Sequence, residues 1–226
     1  MGGYIPISSK REIRKEGEGM EKKIVVTLAR QHYTGGLKVG KYLAEALGVN
    51  CYDSEMLCLV SDDQAMHDSY VAHDSRIKGT SLFDVATIAY REREEGEFSD
   101  PETMMKNIFD YQSDIIRKLA EKESCVIVGR CANYILRDRE DTVSVFIHAP
   151  MEFRKRRASS VHDLSDAELE AHIRSTDERR SDYYHRYTGG EWMDVSSYEL
   201  SVNAGKYGIR GSADFIREYL GVRFGG

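Results

Sequence analysis

Arginines and glycines in three short blocks are the residues whose types and spacing could handle a phosphate group. The first block is Arg30-Gln31-His32-Tyr33-Thr34-Gly35-Gly36, with Lys38 just beyond it. It follows a β-branched apolar run, Ile24 to Leu28. It precedes a segment whose residues Leu37, Gly40, Leu43, Ala44 and Leu47 recur at helical spacing. A strand, a glycine turn and a helix N-terminus together form an anion site, because free backbone N–H groups and the positive end of the helix dipole face the turn. An ordinary strand-to-helix turn without a ligand is the competing reading. The loop departs from the phosphate-binding pattern GxxxxGK[ST]. Gly35-x-x-x-x-Gly40-Lys41 matches in part, but Tyr42 follows and the match falls inside the helix. Counted from the strand end, Gly36 stands where the lysine belongs and Leu37 where the Ser or Thr belongs. Arg30, Thr34 and Lys38 are the neighbours that could substitute.

The second block is basic: Glu152-Phe153-Arg154-Lys155-Arg156-Arg157, in which Arg154 and Arg157 share a helix face. The third is Arg174, Asp177 and Arg180 at successive i+3 steps, on a helix announced by the capping box Ser165 to Glu168. One reading is a solvated face with an aspartate between two arginines. The other is a set of guanidinium groups aimed at polyphosphate, where planar cations stabilise charge spread over transferring oxygens. With Ala158 to Leu164 as a polar connection, the two helices could act as a mobile lid.

These blocks need a frame, and the apolar pattern supplies one. Val49 to Tyr52, Cys125 to Val128 and Thr142 to His148 read as buried strands after the first, and Tyr198 to Val202 as the last, ended by Asn203. Helices are expected from Glu55, over Ser81 to Glu95, from Ser99-Asp100-Pro101-Glu102 to about Glu121, over Ala132 to Leu136, and after Gly211-Ser212. Asp62 to Lys78 reads as a polar stretch in which His67 and His73 are exposed loop residues. Strands separated by helices argue for a parallel, doubly wound α/β sheet. Two strand ends carry residues able to contact a ligand: Tyr52-Asp53 and Gly129-Arg130. The aromatic stretch Asp182 to Trp192 turns at Gly189-Gly190; Tyr183, Tyr184 and Tyr187 would pack within the domain or across a dimer, or stack on a base.

Composition narrows the classes. The chain has 226 residues, 41% hydrophobic and 31% charged, as a globular protein would. A net charge of −6 argues against binding nucleic-acid polymers through bulk charge. No run approaches the roughly 18 apolar residues of a membrane span, and the first residues lack the apolar core of a secretion signal. The cysteines at 51, 58, 125 and 131 contain no CxxC pair and fit buried free thiols in a reducing cytoplasm, with zinc the alternative. Residues 1–22 read as a peripheral arm, and 23–226 as one domain with its lid at about 151–187.

Taken in order, the blocks resemble the cytidylate kinase-like proteins over roughly residues 23 to 218. The loop Ala29-Arg30-Gln31-His32-Tyr33-Thr34-Gly35-Gly36 is similar to that group's lysine-free Ser-Arg-Gln-Tyr-Gly-Ser-Gly-Gly. Tyr52-Asp53, Val126 to Arg130, the strand and helix Val145 to Arg157, and Arg174-x-x-Asp177-x-x-Arg180 resemble the group's monophosphate site, acceptor strand and lid helices. Cys131 stands where cytidylate kinase has Asp. The resemblance implies a P-loop kinase-like sheet with a helical lid. It also implies transfer of phosphate from ATP, with Mg2+, to a nucleoside monophosphate such as CMP or a similar small acceptor. Arg30, Gln31, Thr34, Gly35, Gly36 and Lys38 would hold the donor. Asp53 and Arg130 would face the acceptor. Arg154, Arg157, Arg174 and Arg180 would neutralise transferred charge, with Asp177 orienting them. No protein residue is assigned to the metal, and the oligomeric state, a homo-oligomer included, stays open. The competing expectation is a nucleotide-binding or sensing protein that keeps the kinase fold without turnover.

Overall fold

The computed structural model describes residues 23–53 and 101–225. The expected arm, the helix from Glu55, the stretch Asp62 to Lys78 and the helix over Ser81 to Glu95 lie outside the described residues. The frame is a five-stranded sheet in the order β2-β3-β1-β4-β5, with β1 Val25–Arg30, β2 Asn50–Tyr52, β3 Cys125–Val128, β4 Thr142–His148 and β5 Leu200–Asn203. Every pairing is parallel, with Leu28 opposite Val128 and Arg30 opposite Ile147. Parallel strands need both faces covered, which is why central β3 is buried at all four positions and neighbouring β1 at all but Arg30.

Side chains of β1 alternate between two cores, as the strand period requires. Val26 and Leu28 join Val39, Leu43 and Ala44 of α1 (Gly36–Leu47), together with Ala213, Ile216 and Leu220 of the last helix. Val25 and Ala29 join Ile115, Ile116, Leu119 and Ala120 of α2 (Pro101–Lys122), and Ala132 and Ile135 of the short α3 (Ala132–Ile135). The helices that follow β1 and β3 therefore lie on opposite faces. The crevice between the carboxyl ends of these adjacent strands is the switch point at which open α/β sheets bind ligands.

The segment expected to form the lid folds as two helices, α4 (Met151–Ala158) and α5 (Asp166–Thr188). The capping box forms in full: Ser165 Oγ accepts from the Glu168 N–H, and the Glu168 carboxylate accepts from the Ser165 N–H. Lys155 of α4 reaches Asp166 at 2.8 Å, pinning the start of α5 to its partner. Tyr184 is buried in the sheet core, with its hydroxyl accepting from Asn133, and Tyr187 stacks on Phe109 at 4.2 Å.

Two expectations shift. The last strand begins at Leu200, because Tyr198 turns into the core against Phe146 and donates its hydroxyl to the Trp192 carbonyl. The last helix, α6 (Ala204–Phe224), begins before Gly211-Ser212 rather than after it. Asn203 ends the strand and also caps the helix through the Gly205 N–H. The helix breaks inside, at Gly208, where φ is +67°. Among the described residues no helix is long and apolar enough to cross a membrane.

Candidate active site

Arg30 ends β1, and the loop that follows is bent by two left-handed residues, Tyr33 (φ +57°) and Gly35 (φ +84°). Gly35 is the N-cap of α1 and brings no capping side chain, and the first turn holds no acidic residue. The helix end is thus left for an outside anion. A side chain at Gly35 would come within 2.6 Å of Ile209, which reaches over from α6. One at Gly36 would lie 2.6 Å from Arg30 Cβ.

The lid grips this loop by its backbone. Asp177 Oδ1 accepts from the His32 N–H at 2.6 Å, and its other oxygen is paired with buried Arg154. Arg157 Nε donates to the Tyr33 carbonyl at 3.0 Å, while its Nη2 lies 3.4 Å from where a Cβ on Gly35 would stand. Arg180 Nη1 donates to the Arg30 carbonyl at 2.9 Å and stands 4.0 Å from Asp177. The Tyr33 ring packs with Ala158, Leu169 and Ile173 in the lid's own small core, and its hydroxyl bonds His162. The left-handed backbone at Tyr33 turns a bulky residue out of the loop and makes it a plug for the lid.

Other residues of the loop serve its shape. Thr34 is fully buried, and its hydroxyl donates to the Gln31 carbonyl at 2.8 Å. Gln31 spans to the end of β4: its N–H donates to the Ile147 carbonyl and its side-chain oxygen accepts from the Ala149 N–H. Lys38 is exposed on the first turn of α1. Arg174 is exposed as well, and pairs with Glu170 at 2.6 Å on the outer face of α5.

Across the crevice, Gly129, Arg130 and Cys131 all adopt positive φ (+88°, +56° and +55°). Such geometry in non-glycine residues costs about 1–2 kcal/mol each, and it concentrates at functional turns. Arg130 lies 5.7 Å from the ring of Tyr183 on α5. Asp53 is buried directly after β2. The guanidinium of Arg30 lies over Gly129, where a Cβ would collide with Nη1. Burial, then the charges of Arg180 and Arg130, push the Arg30 pKa down to about 9, opposed by Asp53. Burial, then Arg180, His172, Arg30 and Arg154, push His32 down to about 3, so this histidine is neutral at ordinary pH.

The structure therefore brings together Arg30, Gln31, Thr34, Gly35, Gly36, Arg154, Arg157, Asp177 and Arg180 around one loop, with Asp53 and Arg130 at neighbouring strand ends. Arg174 stands apart from them, and Lys38 lies at the exposed margin. Sequence reasoning missed Tyr33 as a lid contact, the histidines His162 and His172 that flank it, and the pairing of Tyr183 with Arg130. The only trace in the sequence was a bulky residue where a phosphate loop keeps glycine. Burial raises the thiols of Cys125 and Cys131 to about 12, so both stay protonated and inert. Among the described residues no cluster of His, Cys, Asp or Glu is arranged to hold a metal ion.

A parallel sheet with a glycine loop at its central strand, roofed by two arginine-bearing helices, defines a P-loop kinase-like fold. The chain belongs to the cytidylate kinase-like family, which it matches over residues 25–206. Over 107 residues it is 26% identical to a cytidylate kinase of Halobacterium salinarum, a stretch amounting to 46% of this chain and 55% of that protein. The chain thus spans about half the length of this curated relative. An uncharacterized protein from Eubacterium ventriosum superposes with a TM-score of 0.65 at 25% identity, covering 88% of this chain and 98% of that one. A shikimate kinase from Bacteroides thetaiotaomicron follows at TM-score 0.50 and 16% identity, over 87% and 98%, a likeness of fold alone.

Proposed function

We propose that the chain transfers the terminal phosphoryl group of ATP to a small phosphorylated acceptor, a nucleoside monophosphate such as CMP being the leading candidate. The observation that carries this reading is a charge imbalance at the switch point. Arg30, Arg130, Arg154, Arg157 and Arg180 gather at the loop and crevice, and among the described residues Asp53 and Asp177 are the carboxylates set against them. Cations half out of water need anions in return. A triphosphate donor and a phosphorylated acceptor would supply them.

On this reading the uncapped start of α1, Gly35, Gly36, Arg157 and Lys38 face the donor phosphates. Thr34 and Gln31 hold the loop in shape. Arg130 and Asp53 orient the acceptor. In a loose transition state, charge spreads over the equatorial oxygens as the acceptor oxygen bonds to phosphorus and the bond to the ADP leaving group breaks. Arg157 and Arg180 are placed to neutralise that charge without any proton transfer of their own. Arg154 acts through Asp177, which it holds against the loop. Mg2+ would arrive on the donor's phosphate oxygens, as is usual for this ion.

The test is ADP formation from ATP and Mg2+ with CMP, dCMP, UMP, AMP and GMP offered separately, and an Arg180→Ala variant as the control for contaminating kinase. Turnover with one monophosphate, lost in the variant, is the expected result. A second reading is favoured by one contact: the Asp177 carboxylate already occupies the His32 N–H, a place an anion would take. A nucleotide sensor whose lid latches the loop would bind ATP, gain about RT ln(1 + [L]/Kd) in stability, and form no product.

A further inference from the structure

We propose that Arg30, although it opens the glycine loop, serves the acceptor and not the donor: with Arg130 it forms a two-guanidinium subsite for a phosphomonoester dianion between the carboxyl ends of β1 and β3. The word acceptor rests on the kinase reading above; the anion subsite does not.

The path of the side chain is the first argument. Arg30 leaves β1 on the α1 face, and its Cβ and Cγ press on Gly36, where a methyl group would come within 2.6 and 2.7 Å. The chain then turns toward β3 instead of following the loop, and its guanidinium settles over Gly129. Both glycines are needed for this course. Gly36 admits the stem, and Gly129, with φ +88°, admits the head.

The second argument is the turn beyond Gly129. Two further left-handed residues, Arg130 and Cys131, continue the turn on which the Arg30 head rests, and the Arg130 charge is near enough to oppose protonation of Arg30. The Tyr183 ring stands behind Arg130 at 5.7 Å. Strain of this kind persists where surrounding structure fixes it for a use.

Charge is the third argument. Arg180 donates to the Arg30 carbonyl and so approaches as a third cation. Arg180 and Arg130 both disfavour the protonated form of Arg30, and Asp53 favours it. A guanidinium keeps its proton at physiological pH in any case, so the cluster carries positive charge in excess of its described carboxylates. Two planar forks at one turn would match a phosphate's several oxygens, whereas a lysine would offer a single point charge. This explains why the loop can lack the usual lysine: its one strand-end cation is turned to the other substrate.

The experiment uses the full chain: calorimetric titration with phenyl phosphate, CMP, cytidine and ATP, and then the ADP-formation assay on the same variants. Arg30→Gln and Arg30→Lys keep the stem that packs on Gly36, which protects folding. Circular dichroism and the unfolding midpoint would verify this. We expect phenyl phosphate and CMP to bind, cytidine to bind far more weakly, and Arg30→Gln to weaken both phosphomonoesters by at least about tenfold while ATP affinity stays within twofold. Arg30→Lys should recover only part of the loss. Loss of ATP affinity with phenyl phosphate unchanged would return Arg30 to the donor and overturn the proposal, as would a wild-type chain that binds no phosphomonoester. The two readings separate cleanly. Arg30-dependent binding without ADP formation upholds the subsite and removes the kinase; turnover whose acceptor KM ignores Arg30→Gln upholds the kinase and removes the subsite.

Discussion

The turns after β1 and β3 stand side by side at the head of the sheet, and they are held in opposite ways. The β1 loop takes its shape from distant parts of the chain. Asp177 accepts from His32, Arg157 donates to Tyr33 and Arg180 donates to Arg30, all across more than a hundred residues. The β3 turn closes on itself, with the Ala132 N–H on the Gly129 carbonyl at 3.1 Å and the Ile135 N–H on Cys131 at 2.9 Å. Its buried anchor, Cys131, belongs to the sheet core. A movement of α5 must therefore remake the backbone contacts of the first turn, whereas it meets the second only through side chains, Tyr183 at Arg130 and Tyr184 at Asn133. One crevice holds a loop whose backbone is held by the arginine-bearing helices beside a turn whose backbone is not.

The hardest way to strain that contrast is to remove Asp177. Arg154 is buried against it, and a buried ion pair broken on one side costs about 3–5 kcal/mol. Asp177→Ala should lower the unfolding free energy measured in urea by an amount of that order and raise hydrogen exchange at Tyr33, Thr34 and the first turn of α1. Amides of Ala132 to Ile135 should keep their protection. Equal loss of protection at both turns would show them to be one unit. Asp177→Asn, which retains an acceptor for the His32 N–H, should recover part of the stability.

Arg130 probes the other turn. Arg130→Ala should weaken the phosphorylated acceptor by roughly 10- to 100-fold, the worth of lost charge-assisted hydrogen bonds, while thermal stabilisation by ATP survives. If both ligands lose affinity equally, the division of the crevice into donor and acceptor sides fails. The variant also relieves a left-handed arginine only if the turn relaxes, so an unchanged chemical-shift pattern at Ala132 would mark the turn as rigid.

The same contrast explains what could be read from sequence. β3 and β4 stand at their expected bounds because their apolar and β-branched residues, broken within β4 at Ser144, leave little freedom in a parallel sheet. The capping box fixed the start of α5 because its chemistry lies within four residues. The start of α6 was hidden because Gly211-Ser212 reads as a helix start, whereas the helix carries Gly211 inside it and breaks earlier, at Gly208. The arginine blocks were legible as blocks. Their partners were not, since helical spacing puts Arg174 and Arg180 on related faces without saying which one meets the loop. Arg30 was legible as a loop residue, and its direction across Gly129 depends on tertiary packing.

Tyr33 offers a gentler test. Tyr33→Phe keeps the plug and removes the hydroxyl bonded to His162, an exchange worth about 0.5–1.5 kcal/mol. The loss should appear in the unfolding midpoint and, again, only in exchange at the β1 loop. His32, beside Tyr33, adds a pH dependence of definite sign. Its folded pKa of about 3 lies below the ordinary 6.5. Between those values the unfolded chain takes up a proton that the native state refuses. Its contribution to stability is complete above about pH 6.5 and declines as pH falls toward 3. The ring is partly exposed, so solvent screens the effect. A His32→Gln variant should flatten that acidic limb, and an unchanged limb would assign it to carboxylates elsewhere.

Arg174 carries the smallest expected effect on stability and the sharpest question about the lid. It is exposed and paired with Glu170 one turn away, so Arg174→Ala should cost about 0.3–0.5 kcal/mol. A purely surface role would leave kcat unchanged and assign the neutralising of transferred charge to Arg157 and Arg180. A fall in kcat beyond about tenfold, equivalent to 1.4 kcal/mol of barrier, with the midpoint and ATP affinity intact, would mean something else. Helix α5 would then have to turn during the reaction and bring Arg174 to the crevice. That turn would break the Asp177 contact to His32, so the Arg174 and Asp177 variants should be non-additive in kcat while remaining additive in stability. Additivity in both would confine the lid to the arrangement described and leave the β1 loop latched throughout turnover.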